Sequence, residues 1–414
     1  MQPERSVRMP PIDRPWRLAV VISHPTQYYS PWFLHLSKLP TLELKVFYLW
    51  DFGVKATKDR SFGETFAWDI SLLEGYSSEF LSNRSDDPGT HHFRGLDNPG
   101  ASIALEKWSP DTILMFGYNY LTHFRLLFSP RLAGIPFLFR GDSHELCSMS
   151  GWKNKVGRLV RRVLFFRFRR FLTVGKANAD YFRLSGVTSD RFAFTPHCVD
   201  NERFQSTSVE VEEEAIEWKE QLGVPDGKTV ILFAGKFEEK KRPLDLLEAF
   251  LQLPNHATPS AVLLFVGSGP LESELRAAAG GQTGATVFFA PFQNQSAMPR
   301  VYAAGDLFVL PSHGRAETWG LAVNEAMNLG CPAIVSSHVG CGPDLIVPGE
   351  TGWIFEAGNI ADLSEKLGEA LSSPQRLREM GLAARQKIGD YSFESATRGL
   401  LEALSGLSRR MPRH

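Results

Sequence analysis

Cysteine is scarce in this chain: there are four in 414 residues, and Cys147, Cys198, Cys331 and Cys341 show no paired metal-ligand spacing. That excludes a disulfide framework and fits reduced thiols in a cytosolic protein. Neither sign of charge is in excess, because 45 Lys plus Arg against 46 Asp plus Glu leave a formal charge of -1. A dedicated nucleic-acid binder would be strongly basic, so that class is set aside. No apolar run approaches the roughly 20 residues that span a bilayer. The opening stretch MQPERSVRMPPIDRPWR has no apolar signal region and reads as a disordered lead-in. A full glycine-rich phosphate loop and a strong dinucleotide fingerprint are both lacking. So is any Asp-x-Asp, the carboxylate pair that can hold a divalent metal against a diphosphate.

What is present is an alternation. A chain of 414 residues is too long for one ordinary core, so two domains are expected. Short apolar runs alternate with helical patterns throughout, which points to βα units and parallel sheets. In the first half RLAVVIS (17–23), LELKVFYL (42–49), TILMFG (112–117), PFLFRG (136–141) and RFLTVG (170–175) read as buried strands. TVILFAG (229–235), AVLLFVG (261–267), ATVFFA (285–290), DLFVLPS (306–312) and PAIVSS (332–337) do so in the second. Between them runs an acidic segment, 208–228, without an apolar strand. The expected architecture is α/β: two doubly wound, Rossmann-like domains over 15–200 and 201–390, with a C-terminal helix at 391–408 packing back on the first. Ligands of such domains bind beyond the carboxyl ends of the strands.

Two stretches at those strand ends carry chemistry. In PSHGRAETWGLAVNEAMNLGCPAIV (311–335), Glu317 precedes a helix start at Gly320 and Glu325 follows inside the helix. At 100° per residue, Glu325 borders the apolar stripe of Ala322, Val323, Ala326, Met327 and Leu329, where it could look into a crevice. Acidic residues near a helix start can also merely complement its dipole. After the strand TVILFAG, the cations Lys236, Lys240, Lys241 and Arg242 gather within KFEEKKRPLDLLEAF. Lys236 and Lys241 could bracket a diphosphate that the amides of the Gly320 helix start hold from the other side.

Taken in order, AGKFEEKKRP, VGSGP, PSHGRAETWGLAVNEAMNLGCPAIVSS and VPGETGWIF resemble the donor domain of retaining glycosyltransferases of family 4, with the GT-B fold and a glutamate-x7-glutamate motif. The resemblance is close over the second half. The first half matches in layout and in SHPTQYYSP, FLTVGKANADYF and TPHCVDNERF. It implies that Glu325 binds the ribose hydroxyls of a UDP- or GDP-linked sugar and that Glu317 lies against the donor sugar. Gly320 and Leu321 would give N–H groups to the phosphates beside Gly235. Lys236 and Lys241 would neutralise the leaving group, and Phe292 and Gln293 would lie near the base. Many members of the family have Arg where Lys236 stands, and Lys offers a point charge without a bidentate fork. No metal and no further cofactor are implied. Cations and helix amides would stabilise the departing diphosphate.

The first half is expected to hold a glycan, lipid-linked or small-molecule acceptor. His24, Asp142 and His144 follow strands and are its candidate catalytic residues, although a lone His is more often structural. The segment 153–171, KNKVGRLVRRVLFFRFRRF, has eight cations and no acid. It reads either as a surface helix or as a contact with the inner face of the cytoplasmic membrane. Two other readings of the whole remain open: a catalytically silent protein of the same fold, and a sugar-nucleotide epimerase.

Overall fold

The apolar runs become strands, most of them buried on both faces, although Glu43 of LELKVFYL is exposed. The structure, a computed structural model, describes residues 14–407 except 55–56, 59–64, 67, 148–151, 206–207, 254–259, 283–285 and 316. Most of the lead-in therefore lies outside the described residues. In the first domain the strands are β1 (Trp16–Ile22), β2 (Leu42–Tyr48), the two-residue pair β3 (Thr57–Lys58) and β4 (Thr65–Phe66), β5 (Ser77–Phe80), β6 (Thr112–Phe116), β7 (Phe137–Arg140), β8 (Phe168–Thr173) and β9 (Phe192–Phe194). The second domain has β10 (Thr229–Ala234), β11 (Ala261–Val266), β12 (Val287–Ala290), β13 (Leu307–Leu310), β14 (Ala333–Ser336) and β15 (Gly352–Phe355).

Both main sheets are parallel, in the orders β5-β2-β1-β6-β7-β8-β9 and β12-β11-β10-β13-β14-β15. These are doubly wound α/β sheets, and together they form the expected two-domain GT-B architecture. Helices cover both faces, as a parallel sheet requires, and β11 is buried along its whole length. The acidic segment is largely the helix Ser208–Gln221, whose Val211, Ala215 and Trp218 are buried while Glu212, Glu213 and Glu214 face water. The last helix, Phe393–Ser405, crosses back to the first domain, where Ala396, Leu400, Ala403 and Leu404 join the core around β1 and β2. No helix among the described residues is long and apolar enough to cross a membrane.

In each sheet the strand order reverses beside the first strand. In the second domain the chain leaves β10 and β13, which are hydrogen-bonded neighbours, in opposite directions. Their loops splay apart and open a crevice at the strand ends. The carboxyl ends of the first sheet face the same crevice.

Candidate active site

The loop after β10 is shaped by close backbone approach. A Cβ at Gly267, after β11, would stand 2.0 Å from the carbonyl oxygen of Gly235, so only glycine lets the two strand ends run side by side. Gly235 then leads to Lys236 and the turn Glu239–Lys241. His313 N–H donates to the Lys240 carbonyl (2.8 Å), tying this basic loop to the loop after β13. At the end of that second loop Gly320 caps the helix Leu321–Asn328 with φ 100°, a left-handed value that favours glycine. The amides of the first helical turn have no intrahelical acceptor. Those of Leu321 and Ala322 belong to residues lining the crevice.

The two glutamates sit in different surroundings. Glu317 Oε2 accepts a hydrogen bond from Ser312 Oγ (2.8 Å) and forms an ion pair with Lys241 Nζ. Sequence reasoning assigned Lys241 to phosphate and did not anticipate this pair. Glu325 is 3% exposed, deeper than the stripe-edge position suggested. Its Oε2 accepts from the Tyr302 hydroxyl at 2.7 Å. Burial pushes its carboxyl up to about 7, against the opposing pull of Tyr302 and Arg203. Burial also raises Tyr28, followed by the charge of Glu325.

The first domain closes the other side. Thr318 Oγ1 donates to Asp142 Oδ2 (2.7 Å), and His197 Nε2 stands 3.6 Å from the same oxygen. Burial alone would raise Asp142, but the His197 contact and then Thr318 outweigh it and bring the carboxyl to about 2. Burial lowers His197, so the ring is neutral near pH 7. It stacks on Tyr29 and approaches the Tyr29 hydroxyl at 3.2 Å. Arg140, buried, donates to the carbonyls of Thr195 (2.8 Å) and Pro196 (3.2 Å) and so fixes the loop that carries His197.

A cavity of about 420 Å³ lies between the domains. Gly235, Lys236, Lys241, Phe292, Gln293, Glu317, Gly320, Leu321, Glu325 and Asp142 all line it. His144 and His24 do not. The Leu146 amide donates to His144 Nδ1 (3.2 Å), which leaves Nε2 to donate to the Glu317 carbonyl at 3.1 Å. His144 therefore clamps the glutamate loop from the first domain. His24 packs edge-on against Trp50 and Phe52, and burial lowers it to about 4. Sequence reasoning missed His197, Tyr302 and Thr318 as lining residues. His197 stood inside the quoted TPHCVDNERF at a strand end, a position that could have flagged it. Tyr302 is a single tyrosine on a short helix and carried no signal. Outside the cavity, Asp87, His91 and His92 offer ligand atoms within 4.8 Å of one another on the first domain's surface.

One end of the cavity thus presents helix amides and lysines, which suit an anion. The floor presents a buried carboxylate, which suits hydroxyl donors. Residues 214–387 match the family model described as glycosyl transferases group 1. That match covers most of the second domain. Over 231 residues the chain is 30% identical to the sulfoquinovosyl transferase SQD2 of Arabidopsis thaliana, covering 55% of this chain and 40% of that protein. It is 30% identical over 192 residues to a D-inositol 3-phosphate glycosyltransferase of Nocardia farcinica, covering 45% and 42% of the two chains. The chain thus spans less than half the length of these curated relatives. Among solved structures, Anabaena Alr3699/HepE in complex with UDP superposes with a TM-score of 0.71 at 17% identity, over 95% of this chain and all of that one. At that identity the likeness extends to the fold. The matched residues include the lysines and both glutamates, while Asp142 and His197 come from the domain before them.

Proposed function

We propose that this protein is a retaining glycosyltransferase of family 4. It moves a sugar from a UDP- or GDP-linked donor to a hydroxyl of a glycan, lipid-linked or small-molecule acceptor in cell-envelope polysaccharide or glycoconjugate synthesis. The observation that carries this reading is the joining of three features in one cavity: the Gly320 helix start, the lysines across from it and the buried Glu325. A nucleoside diphosphate needs anion donors and ribose-hydroxyl acceptors within one cavity, and the relatives named above transfer glycosyl groups.

In this reading Glu325 accepts from the ribose hydroxyls, and the amides of Gly320 and Leu321 donate to the phosphates beside Gly235. Lys236 and Lys241 neutralise the diphosphate, with Phe292 and Gln293 near the base. Glu317 lies against the donor sugar. The anomeric C–O bond breaks with its electron pair passing to the diphosphate, and the acceptor hydroxyl oxygen forms the new bond while its proton is taken up by the departing diphosphate. Charge on the departing diphosphate is met by fixed cations and amides, which act without reorganising in a water-poor cleft. The chain's lack of Asp-x-Asp favours transfer without a metal. Asp142, ionised and hydrogen-bonded to Thr318, is the acceptor-side carboxylate. His144 acts through the Glu317 backbone as a positioning residue, and the aromatic packing of His24 suits a structural part.

A thermal-shift screen against nucleoside diphosphates, followed by donor hydrolysis with the stabilising nucleotide's sugars, tests the reading. Stabilisation by UDP or GDP with donor turnover is expected. Binding without turnover in the presence of candidate acceptors would favour a silent nucleotide-sugar binder. No stabilisation by any nucleoside diphosphate would refute the reading.

A further inference from the structure

The helix Trp152–Phe165 wears its apolar stripe on the outside. Val156, Leu159, Val160 and Val163 fall within an arc of about 100° on a helix turning 100° per residue. Their exposures are 50%, 64%, 53% and 63%, and Phe166 just beyond the helix is 83% exposed. The inward face holds Leu164 and Phe165, together with two cations. Arg161 Nη2 donates to Glu145 Oε1 at 2.7 Å, and Arg158 is paired with the other oxygen of the same carboxylate. A surface helix ordinarily turns its apolar stripe to the core and its cations to water. This helix inverts that arrangement over most of its length.

The cations left outside flank the stripe. Lys155, Arg162, Arg167 and Arg169 are exposed and make no ion pair among the described residues. The surface continues sideways, because Arg167 Nε donates to the Leu127 carbonyl (3.0 Å) and its guanidinium stands 6.0 Å from the Phe128 ring. Phe128 and its neighbour Phe124, ring centroids 4.7 Å apart, are both about half exposed. Behind Phe166 a groove of about 1070 Å³ is lined by Arg167, Arg169, Arg170 and Arg191, with Asp190 the acidic residue among its lining.

We propose that this face docks on an anionic lipid bilayer. Water leaves five large apolar side chains uncovered, and a protein partner would have to match both the stripe and the unpaired cations beside it. A bilayer with acidic headgroups supplies both needs at once: an acyl boundary for the stripe and phosphates for the arginines. The docking does not rest on the glycosyl-transfer reading. It does bear on it through Glu145, which holds the helix and adjoins His144, the residue bonded to the Glu317 carbonyl. Glu145 and His144, adjacent in the chain, thereby connect the bilayer face to the cavity loop.

The test uses the full chain, co-sedimented with vesicles of phosphatidylcholine alone or mixed with phosphatidylglycerol. Binding to the mixed vesicles that weakens with salt is expected. The double substitution L159S/V163S should lower partition by about ten-fold or more, from the apolar area withdrawn. R162E/R169E should lower it by at least about five-fold for each cation removed. All four positions are exposed, so melting temperatures should match that of the parent. Three results overturn the proposal: no partition into the anionic vesicles at low salt, partition unchanged by L159S/V163S, or a concentration-dependent dimer that L159S/V163S makes monomeric. The last would assign the face to a second copy of the chain.

Discussion

Replacing Glu325 by Gln separates the cost of this residue from its use. In the folded chain its carboxyl titrates near 7, where an ordinary glutamate titrates at 4.5. Between those values the folded state holds a proton that the unfolded chain has lost. Stability therefore falls as pH rises through the window, and above it the ionised carboxylate costs on the order of 3 kcal/mol relative to an exposed glutamate. Gln keeps the shape, and its amide oxygen can still accept from Tyr302, 2.7 Å away in the parent. E325Q should therefore match the parent near pH 5 and exceed its stability near pH 8 by about 1–3 kcal/mol. Urea unfolding followed by tryptophan fluorescence reads this, because Trp218 and Trp319 are buried in the same core. Calorimetry at pH 8 supplies the other half: the variant should bind UDP or GDP at least about ten-fold more weakly, the loss of a charge-assisted hydrogen bond. Parent affinity should also rise between pH 6 and 8 as the carboxylate ionises. A stability difference between variant and parent that is the same at both pH values would refute the assigned burial. A stabilised variant with undiminished nucleotide affinity would refute the ribose role.

Lys241→Ala should weaken nucleoside-diphosphate binding by at least about 1.5 kcal/mol, read by calorimetry; unchanged affinity would move the phosphate site elsewhere. Glu317→Gln should lower kcat by about 10²-fold with a smaller effect on KM, whereas Glu325→Ala should chiefly raise the donor KM, because the ribose does not change during transfer. Steady-state kinetics with saturating acceptor and matched melting temperatures decide between these, and the reverse pattern would overturn the placement. Activity should survive excess chelator; a reproducible loss restored by magnesium or manganese would reveal a metal site.

The strands buried on both faces were legible from residue order alone. β10, β11 and β13 read as continuous apolar runs because water reaches neither side of them. The edge strands β5, β9 and β15 were not legible: β5 has no buried position over Ser77–Phe80, and such a run resembles a loop. The lysine loop and the glutamate pair were legible because each follows a buried strand at its carboxyl end, where a doubly wound sheet must open. The packing around them was not. His24, Asp142 and His144 follow strands in the same way, yet Asp142 alone of the three lines the cavity.

Sequence by itself determined the local terms: periodicity, turn chemistry and the clustering of cations after a buried strand, all set by residues within a few positions of one another. Tertiary structure alone decided the long-range ones. The Lys241–Glu317 pair spans 76 positions, and the Asp142–Thr318 bond spans 176. No local pattern encodes such partners. The elevated carboxyl of Glu325 likewise comes from burial in the folded chain, opposed by Tyr302 and Arg203, which two separate elements bring to it. The outward stripe of the helix Trp152–Phe165 was equally undecided, since an amphipathic sequence fixes that a helix has two faces and not which one meets the core. In the folded chain Arg158 and Arg161 pair with Glu145 while the apolar stripe stays exposed.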